Sequence, residues 1–325
     1  MPLTEIDRLR YLFDVYGLRR GTITKSWRDP AVLNLSGLKA PPVSGVYPLD
    51  FAQDDTPELL TDAAGIPMID YASLGRQYNP WFIGHIALGR FSRWAVTLDD
   101  SILKGFRQLA DWFVANAEPQ PVGVAWVYRF DWLGGHDAPW ISGISQAHGI
   151  STLLRAATVF KNDTYARVAW QATEMMLAPL EEGGTAVNWP DGTVSLEESV
   201  RLPATAILNG HLFSVFAAWE AGQYFQETRY LETASRGWTF VRNRIDCYDL
   251  GYWSCYSLKT GRSGLPDIAS PHYHGVHIAQ FRVVAAITGD LFFAEVADRF
   301  ERYHRDPALR RKAIWKKRLT KLIDR

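Results

Sequence analysis

The stretch SPHYHGVHIAQF, Ser270 to Phe281, gathers His272, Tyr273, His274 and His277 where a serine and a proline mark the start of a helix. Imidazole and phenol side chains can move protons, hold a metal or anchor a helix end. A zinc pair on a helix wants a four-residue spacing, with a carboxylate or thiolate close by in sequence. These histidines stand at relative positions zero, two and five with neither companion, so no metal site is read here. Acid–base work and simple hydrogen bonding at the helix start both stay open.

Three other stretches carry a similar mixture. In DLGYWSCYSLKTGRSG, Tyr252 and Tyr256 precede Lys259 and Arg262. A phenol titrates near pH ~10, so it serves as a base at neutral pH only when a cation supports the phenolate. Either cation could do that, or could pair with a substrate carboxylate. LEESVRLPATAILNGHLF brings Glu197 and Glu198 ahead of Asn209 and His211. Two adjacent carboxylates on an extended segment face opposite ways, so at most one serves a given site. HDAPWISGISQAHG places Trp140, Gln146 and His148 before or within another helix start. Trp140 reads as a sugar platform or as core packing.

What must position these groups is a helical frame. From about residue 80 onward, apolar residues return at three and four positions, and strand-like alternation is rare. An internal repeat marks the second helix of successive hairpins: Tyr165/Ala169, Tyr230/Ala234 and Phe293/Ala297, spaced by 65 and 63 residues. A weaker copy, Ile102/Phe106, precedes them. The pattern predicts an all-α fold, an incomplete (α/α) toroid of about four helical hairpins with an irregular N-terminal arm. Long loops between the pairs, Glu118 to Pro139, Glu181 to Pro203 and Asp246 to Pro271, are rich in Trp, Tyr, Gly and Asp. Structured loops on a rigid scaffold are where sites sit.

Three regions are expected: 1–75 as a helix and extended arm, 76–304 as the toroid, and 305–325 as a basic amphipathic tail. RYLFDVYGLRRG reads as a helix closed by Gly21, Leu38 to Phe51 as an extended arm, and TPELLTDAAG as a short helix with Thr56 as its cap. The whole chain of 325 residues balances 35 basic against 35 acidic side chains, which gives no field pointing to nucleic acid. Between Arg305 and Arg325, however, nine basic residues face two Asp. That tail could lie on an anionic membrane face or dock as a solvated helix. The two cysteines, Cys247 and Cys255, read as packing residues, and no signal peptide or membrane span is legible. Cytoplasmic residence is expected, with peripheral contact at the inner membrane face as an option through the tail.

The motifs PWISGISQAHGISTLLRA, LPATAILNGHLFSVF, YDLGYWSCYSLKTG and PHYHGVHIAQF, in that order, resemble the C-terminal catalytic region of the D-glucuronyl C5-epimerase family. The likeness runs from about Tyr78 to about Tyr303. It implies inversion at C5 of glucuronate residues within a glycan, giving iduronate. The tyrosine of the family's Tyr-His-x-x-His motif falls on Tyr273, and that of its Tyr-x-Leu motif on Tyr256. Its Glu-Glu-Tyr-Pro segment falls on Glu197, Glu198 and Ser199, so the glutamate is kept and the third tyrosine is replaced by serine. Tyr252, His274 or Glu198 would fill that vacancy. Lys259 stands where animal members look to have Arg.

By that resemblance, Tyr273 and Tyr256 are expected as bases on opposite faces of the sugar, with Glu198 as the third catalytic residue. Lys259 or Arg262 would hold the carboxylate, aided by His274 and His277, since a dianion must be offset as it forms. Asn209, with Glu198, would orient hydroxyls, and Gln146, Trp140 and Tyr252 would complete substrate binding. The chemistry demands no metal or cofactor. A uronate lyase on the same toroid, which would expel the C4 substituent from the same intermediate, and a non-catalytic glycan-binding toroid are the alternatives.

Overall fold

A computed structural model describes residues 45–72, 74–132, 135–260 and 264–323, together with Leu33. Among these residues, four helical hairpins follow one another. They pair α1 (Pro80–Thr97) with α2 (Asp100–Ala115), α3 (Gly143–Phe160) with α4 (Asp163–Leu177), and α5 (Leu208–Phe225) with α6 (Thr228–Asn243). After a short α7 (Ile245–Tyr248), α8 (Pro271–Thr288) pairs with α9 (Leu291–Arg305), and α10 (Pro307–Ile323) ends the described chain.

The first helix of each hairpin lies inside: α1 packs on α3, α3 on α5, and α5 on α8. The inner helices are the more deeply enclosed; α3 is buried without a break from Gly143 to Ala157. Outer helices bury one stripe, such as Phe106, Leu109, Ala110 and Phe113 of α2. The result is the (α/α) toroid that the repeat predicts.

Each hairpin turns through one left-handed residue. Leu98, Lys161, Gln226 and Gly289 have φ of 55°, 48°, 55° and 70°. The residue after it, Asp99, Asn162, Glu227 or Asp290, caps the outer helix by accepting the backbone N–H two positions on. The repeated aromatic and alanine follow inside the outer helix, and all three pairs are buried. Because these turns occupy one end of the ring, the long loops gather at the other.

The loops are short two-stranded ribbons. Ahead of the hairpins stand β1 (Ile69–Tyr71) and β2 (Gly75–Gln77). Between hairpins lie β3 (Glu118–Pro119) with β4 (Val124–Ala125), β5 (Ala186–Asn188) with β6 (Val194–Leu196), and β7 (Cys255–Thr260) with β8 (Pro266–Ile268). The described part of the N-terminal arm is extended and sends alternate residues Tyr47, Leu49 and Phe51 into the core. There Arg155 of α3 donates to the Gly45 carbonyl at 3.2 Å. The helix expected at TPELLTDAAG is instead a turn, because Asp62 Oδ1 accepts from the backbone of Ala64 and Ile66 and Gly65 takes a φ of 77°. The expected helix in RYLFDVYGLRRG lies outside the described residues.

Helix α10 docks rather than trailing: Ala313 is buried against Trp253, Ile268 and Ala269, while Trp315 and Ile323 stay exposed. Among the described residues, no helix is long and apolar enough to cross a membrane. Cys255 is buried, as packing would have it, but Cys247 is exposed.

Candidate active site

Ser270 accepts the Tyr273 amide at 3.3 Å and Pro271 fixes the first turn of α8, so Tyr273 leaves that turn in a set direction. Tyr256 comes from β7. The two rings pack against each other, with centroids 4.8 Å apart at 54°. The Tyr256 hydroxyl reaches Glu198 Oε1 at 3.4 Å, and Asn209 Nδ2 reaches the other carboxylate oxygen at 3.5 Å. Two phenols, a carboxyl and an amide from four separate segments thus meet. The two phenols stand ring against ring, tilted rather than stacked.

The paired glutamates part company because the chain bends at Glu198 and Ser199. Glu197 is fully buried and accepts from the Thr205 and Ala206 amides, both at 2.9 Å, and from Ser195 Oγ at 2.7 Å. It holds the loop together. Glu198 turns toward Tyr256 and Asn209 and lies directly over Gly210, whose missing Cβ leaves the space it fills. A Cβ there would come within 2.2 Å of a Glu198 carboxylate oxygen. Gly210→Ala should therefore displace the carboxyl and cut turnover, with stability lowered far less than turnover; assay and thermal melt of the same sample check this.

Burial pushes the Glu198 carboxyl up to about 7, against the lowering hydrogen bond from Tyr256 and with a further push from the charge of Glu197. A carboxyl that changes charge near neutrality beside a phenol can take and return that phenol's proton.

Several residues singled out in the sequence serve the frame instead. His274 is fully buried, with Nδ1 at 2.8 Å from Ser254 Oγ, Nε2 at 2.9 Å from the Phe300 carbonyl and its ring on Trp253. Burial drives it down to about 3, so it is neutral and offers no cation. His277, equally enclosed, shares Ser254 Oγ at 2.9 Å and is likewise held neutral by burial. Gln146 spends both ends of its amide on the backbone of Trp126, each at 3.0 Å. Trp140 stacks on Tyr128 at 3.9 Å and on His136 at 5.0 Å, and gives its indole N–H to the Phe130 carbonyl. Tyr252 lies under α10, with the Lys312 ammonium 4.1 Å from its ring centre. His274, Gln146 and the Trp140 indole N–H thus spend their hydrogen bonds on the protein itself, whereas His277 Nε2 is buried without a partner and the Tyr252 ring lies against the basic helix. Lys259 is exposed on β7, and Arg262 lies outside the described residues. Among the described residues, no group of three His, Cys, Asp or Glu is disposed to hold a metal.

Two residues escaped the sequence reading. Lys317 of α10 donates to the Ile268 carbonyl at 2.5 Å and lies 5.9 Å from the Tyr256 ring centre, so the basic tail braces the tyrosine wall. His136, in the loop before α3, sits 2.8 Å from Ser199 Oγ. A long loop dense in Gly, Trp and Asp was the only signal for it.

The chain is an (α/α) toroid that gathers two phenols and a carboxyl among the loops at one end. The fold is similar to that of a GH76 alpha-mannanase from Bacteroides thetaiotaomicron, with a TM-score of 0.50 and 10% identity over 72% of this chain and 60% of that one. It is also similar to an unsaturated glucuronyl hydrolase specific for heparin, with a TM-score of 0.51 and 10% identity over 82% of each chain. At such identities the likeness speaks to fold alone. A family model described as the D-glucuronyl C5-epimerase C-terminus matches residues 122–302, more than half of the sequence. The chain belongs to the D-glucuronyl C5-epimerase family. Among curated proteins, the D-glucuronyl C5-epimerase of Caenorhabditis elegans is 28% identical over 179 residues, covering 50% of this chain and 29% of the worm protein. The chain therefore spans less than a third of that relative's length.

Proposed function

We propose that this chain is a uronyl C5-epimerase that interconverts D-glucuronate and L-iduronate residues in a polysaccharide or lipid-linked oligosaccharide. The observation that carries this reading is the Tyr256–Glu198 contact, in which a carboxyl poised near 7 meets a phenol packed on Tyr273. Removing the proton α to a uronate carboxylate needs a base, a relay for its proton and a donor able to return one. Tyr256 or Tyr273 abstracts or donates at C5. Glu198 exchanges the phenol's proton, and the Asn209 amide orients it. Lys259, exposed at the rim, offers a cation to the substrate carboxylate.

Proton NMR of a glucuronate-containing glycan incubated with the chain in deuterated buffer tests this. Deuterium should enter C5 with the glycan length unchanged and new iduronate signals growing in. Shortened, UV-absorbing unsaturated products would identify a lyase instead, and binding without isotope exchange would identify a glycan-binding toroid.

A further inference from the structure

We propose that Lys312 and Lys316 of helix α10 form an anion subsite beside the tyrosine wall, which takes the carboxylate of a second acidic sugar while its neighbour in the same glycan is turned over. The ligand follows from the epimerase reading, on which this inference rests; the site follows from the helix.

Helix α10 lies beyond residues 122–302, the part matched by the family model, so its side chains take no role from that match. Over 17 residues it has seven basic side chains and no acidic one. In a chain whose 35 basic and 35 acidic side chains cancel, that is a local positive field. Two of its cations are gathered on one ring. The Lys312 ammonium lies 4.1 Å and the Lys316 ammonium 5.2 Å from the ring centre of Tyr252. Like charges four residues apart on a helix repel. Among the described residues neither ammonium has a carboxylate partner, and the acid of β8, Asp267, is engaged by Lys317 at 4.0 Å and by Ser257 Oγ at 2.9 Å. A carboxylate arriving between the two lysines relieves their repulsion and gains two charge-assisted contacts.

The pair adjoins the candidate active site. Ala313 of α10 is buried in a small apolar cluster with Trp253, Ile268 and Ala269, and Tyr252, Tyr256 and Tyr273 all pack against that cluster. Lys317, next along the chain, lies 5.9 Å from the ring centre of Tyr256. Cations thus border the wall from Tyr252 to the phenol that meets Glu198. A glycan of repeating uronates carries an anion at regular intervals, and holding one unit at Tyr256 leaves the next free to reach such a row. A lipid surface suits α10 less, because a helix lying on lipid needs a free apolar face. Here Ala313 is buried and Ile314 and Leu319 are part-buried, while the exposed Trp315 and Ile323 stand among exposed Arg311, Lys312, Lys316 and Arg318.

The test uses the full chain and glycans bearing one or several glucuronate residues. Calorimetry reads affinity without turnover, and C5 exchange by NMR in deuterated buffer reads KM and kcat. Wild type should bind the multi-uronate glycan about tenfold more tightly than the single-uronate one. Lys312→Gln with Lys316→Gln should lose about that tenfold, as a higher KM at unchanged kcat, and should bind the single-uronate glycan as wild type does. Lys312→Arg with Lys316→Arg should keep the preference. Arg311→Gln with Arg318→Gln removes the same charge from exposed positions on another side of α10 and should lose less than about threefold. An equal loss from the glutamine variants at lysine and at arginine would reduce the subsite to bulk charge, and an unchanged lysine variant would remove it. Binding to phosphatidylserine vesicles that disappears in the lysine variant while glycan affinity stays would give the pair to a membrane and overturn the inference. Lysine-dependent glycan binding by a wild-type chain that exchanges no C5 proton would remove the epimerase reading and leave the subsite in place.

Discussion

A Glu198→Gln chain is expected to exchange the C5 proton of its substrate about 10²- to 10⁴-fold more slowly than wild type, the range a general acid–base group supplies. The physical basis is the placement of the carboxyl between the Tyr256 hydroxyl and Asn209, with burial raising it to about 7. Below that value Glu198 is protonated and cannot take the phenol's proton; above it the carboxylate can. Wild-type rates should therefore rise through about pH 7, and the glutamine variant should lose that limb along with most of its rate. Glu198→Asp should keep the limb at a reduced height. Exchange rates measured by NMR across the neutral range decide, and a glutamine variant with an unchanged profile would remove Glu198 from the reaction. The same shift has a stability side. Folding raises this carboxyl from its ordinary 4.5, so its contribution is fully present below that value and is lost as pH climbs through about 7. Glutamine, which never ionises, should flatten that part of the stability profile.

The second large effect concerns the frame. Arg155 of α3 is fully enclosed and makes a two-pronged contact with Glu220 of α5, at 2.7 and 3.2 Å. It also donates to the Ser151 carbonyl and to Gly45 of the arm, and its guanidinium lies 5.1 Å from the Tyr47 ring centre. One cation thus joins two inner helices to the N-terminal arm. Glu220→Ala leaves that cation buried without its counter-ion and should destabilise the chain by about 3–5 kcal/mol. A double variant, Arg155→Met with Glu220→Leu, should recover much of the loss, because the pair itself costs desolvation. Chemical denaturation measures both, and a single variant as stable as wild type would mean that Arg155 finds another partner.

The frame was legible because it repeats. An aromatic and an alanine four residues apart after a polar cap is a local pattern, and Tyr165/Ala169, Tyr230/Ala234 and Phe293/Ala297 each sit in an outer helix as their spacing implies. The convergence of Tyr256, Tyr273, Glu198 and Asn209 was legible only through family likeness, since their segments are far apart in sequence. Chemical type alone did not reveal that His274 and Gln146 take their hydrogen bonds from backbone and serine groups that only folding brings near. His136 and Lys317 went unread for the converse reason. Each acts across a long sequence separation, one toward Ser199 and the other toward β8 and Tyr256.

The four tight turns through Leu98, Lys161, Gln226 and Gly289 share one end of the ring, and each joins helices that are neighbours in sequence. Helix pairing is therefore settled at the end away from the cleft. Ribbons at the other end can lengthen, shorten or exchange side chains without asking the helices to re-register. That separation explains how a mannanase, a glucuronyl hydrolase and this chain keep one scaffold at 10% identity: evolution can rewrite the chemistry at one pole while the other preserves the architecture.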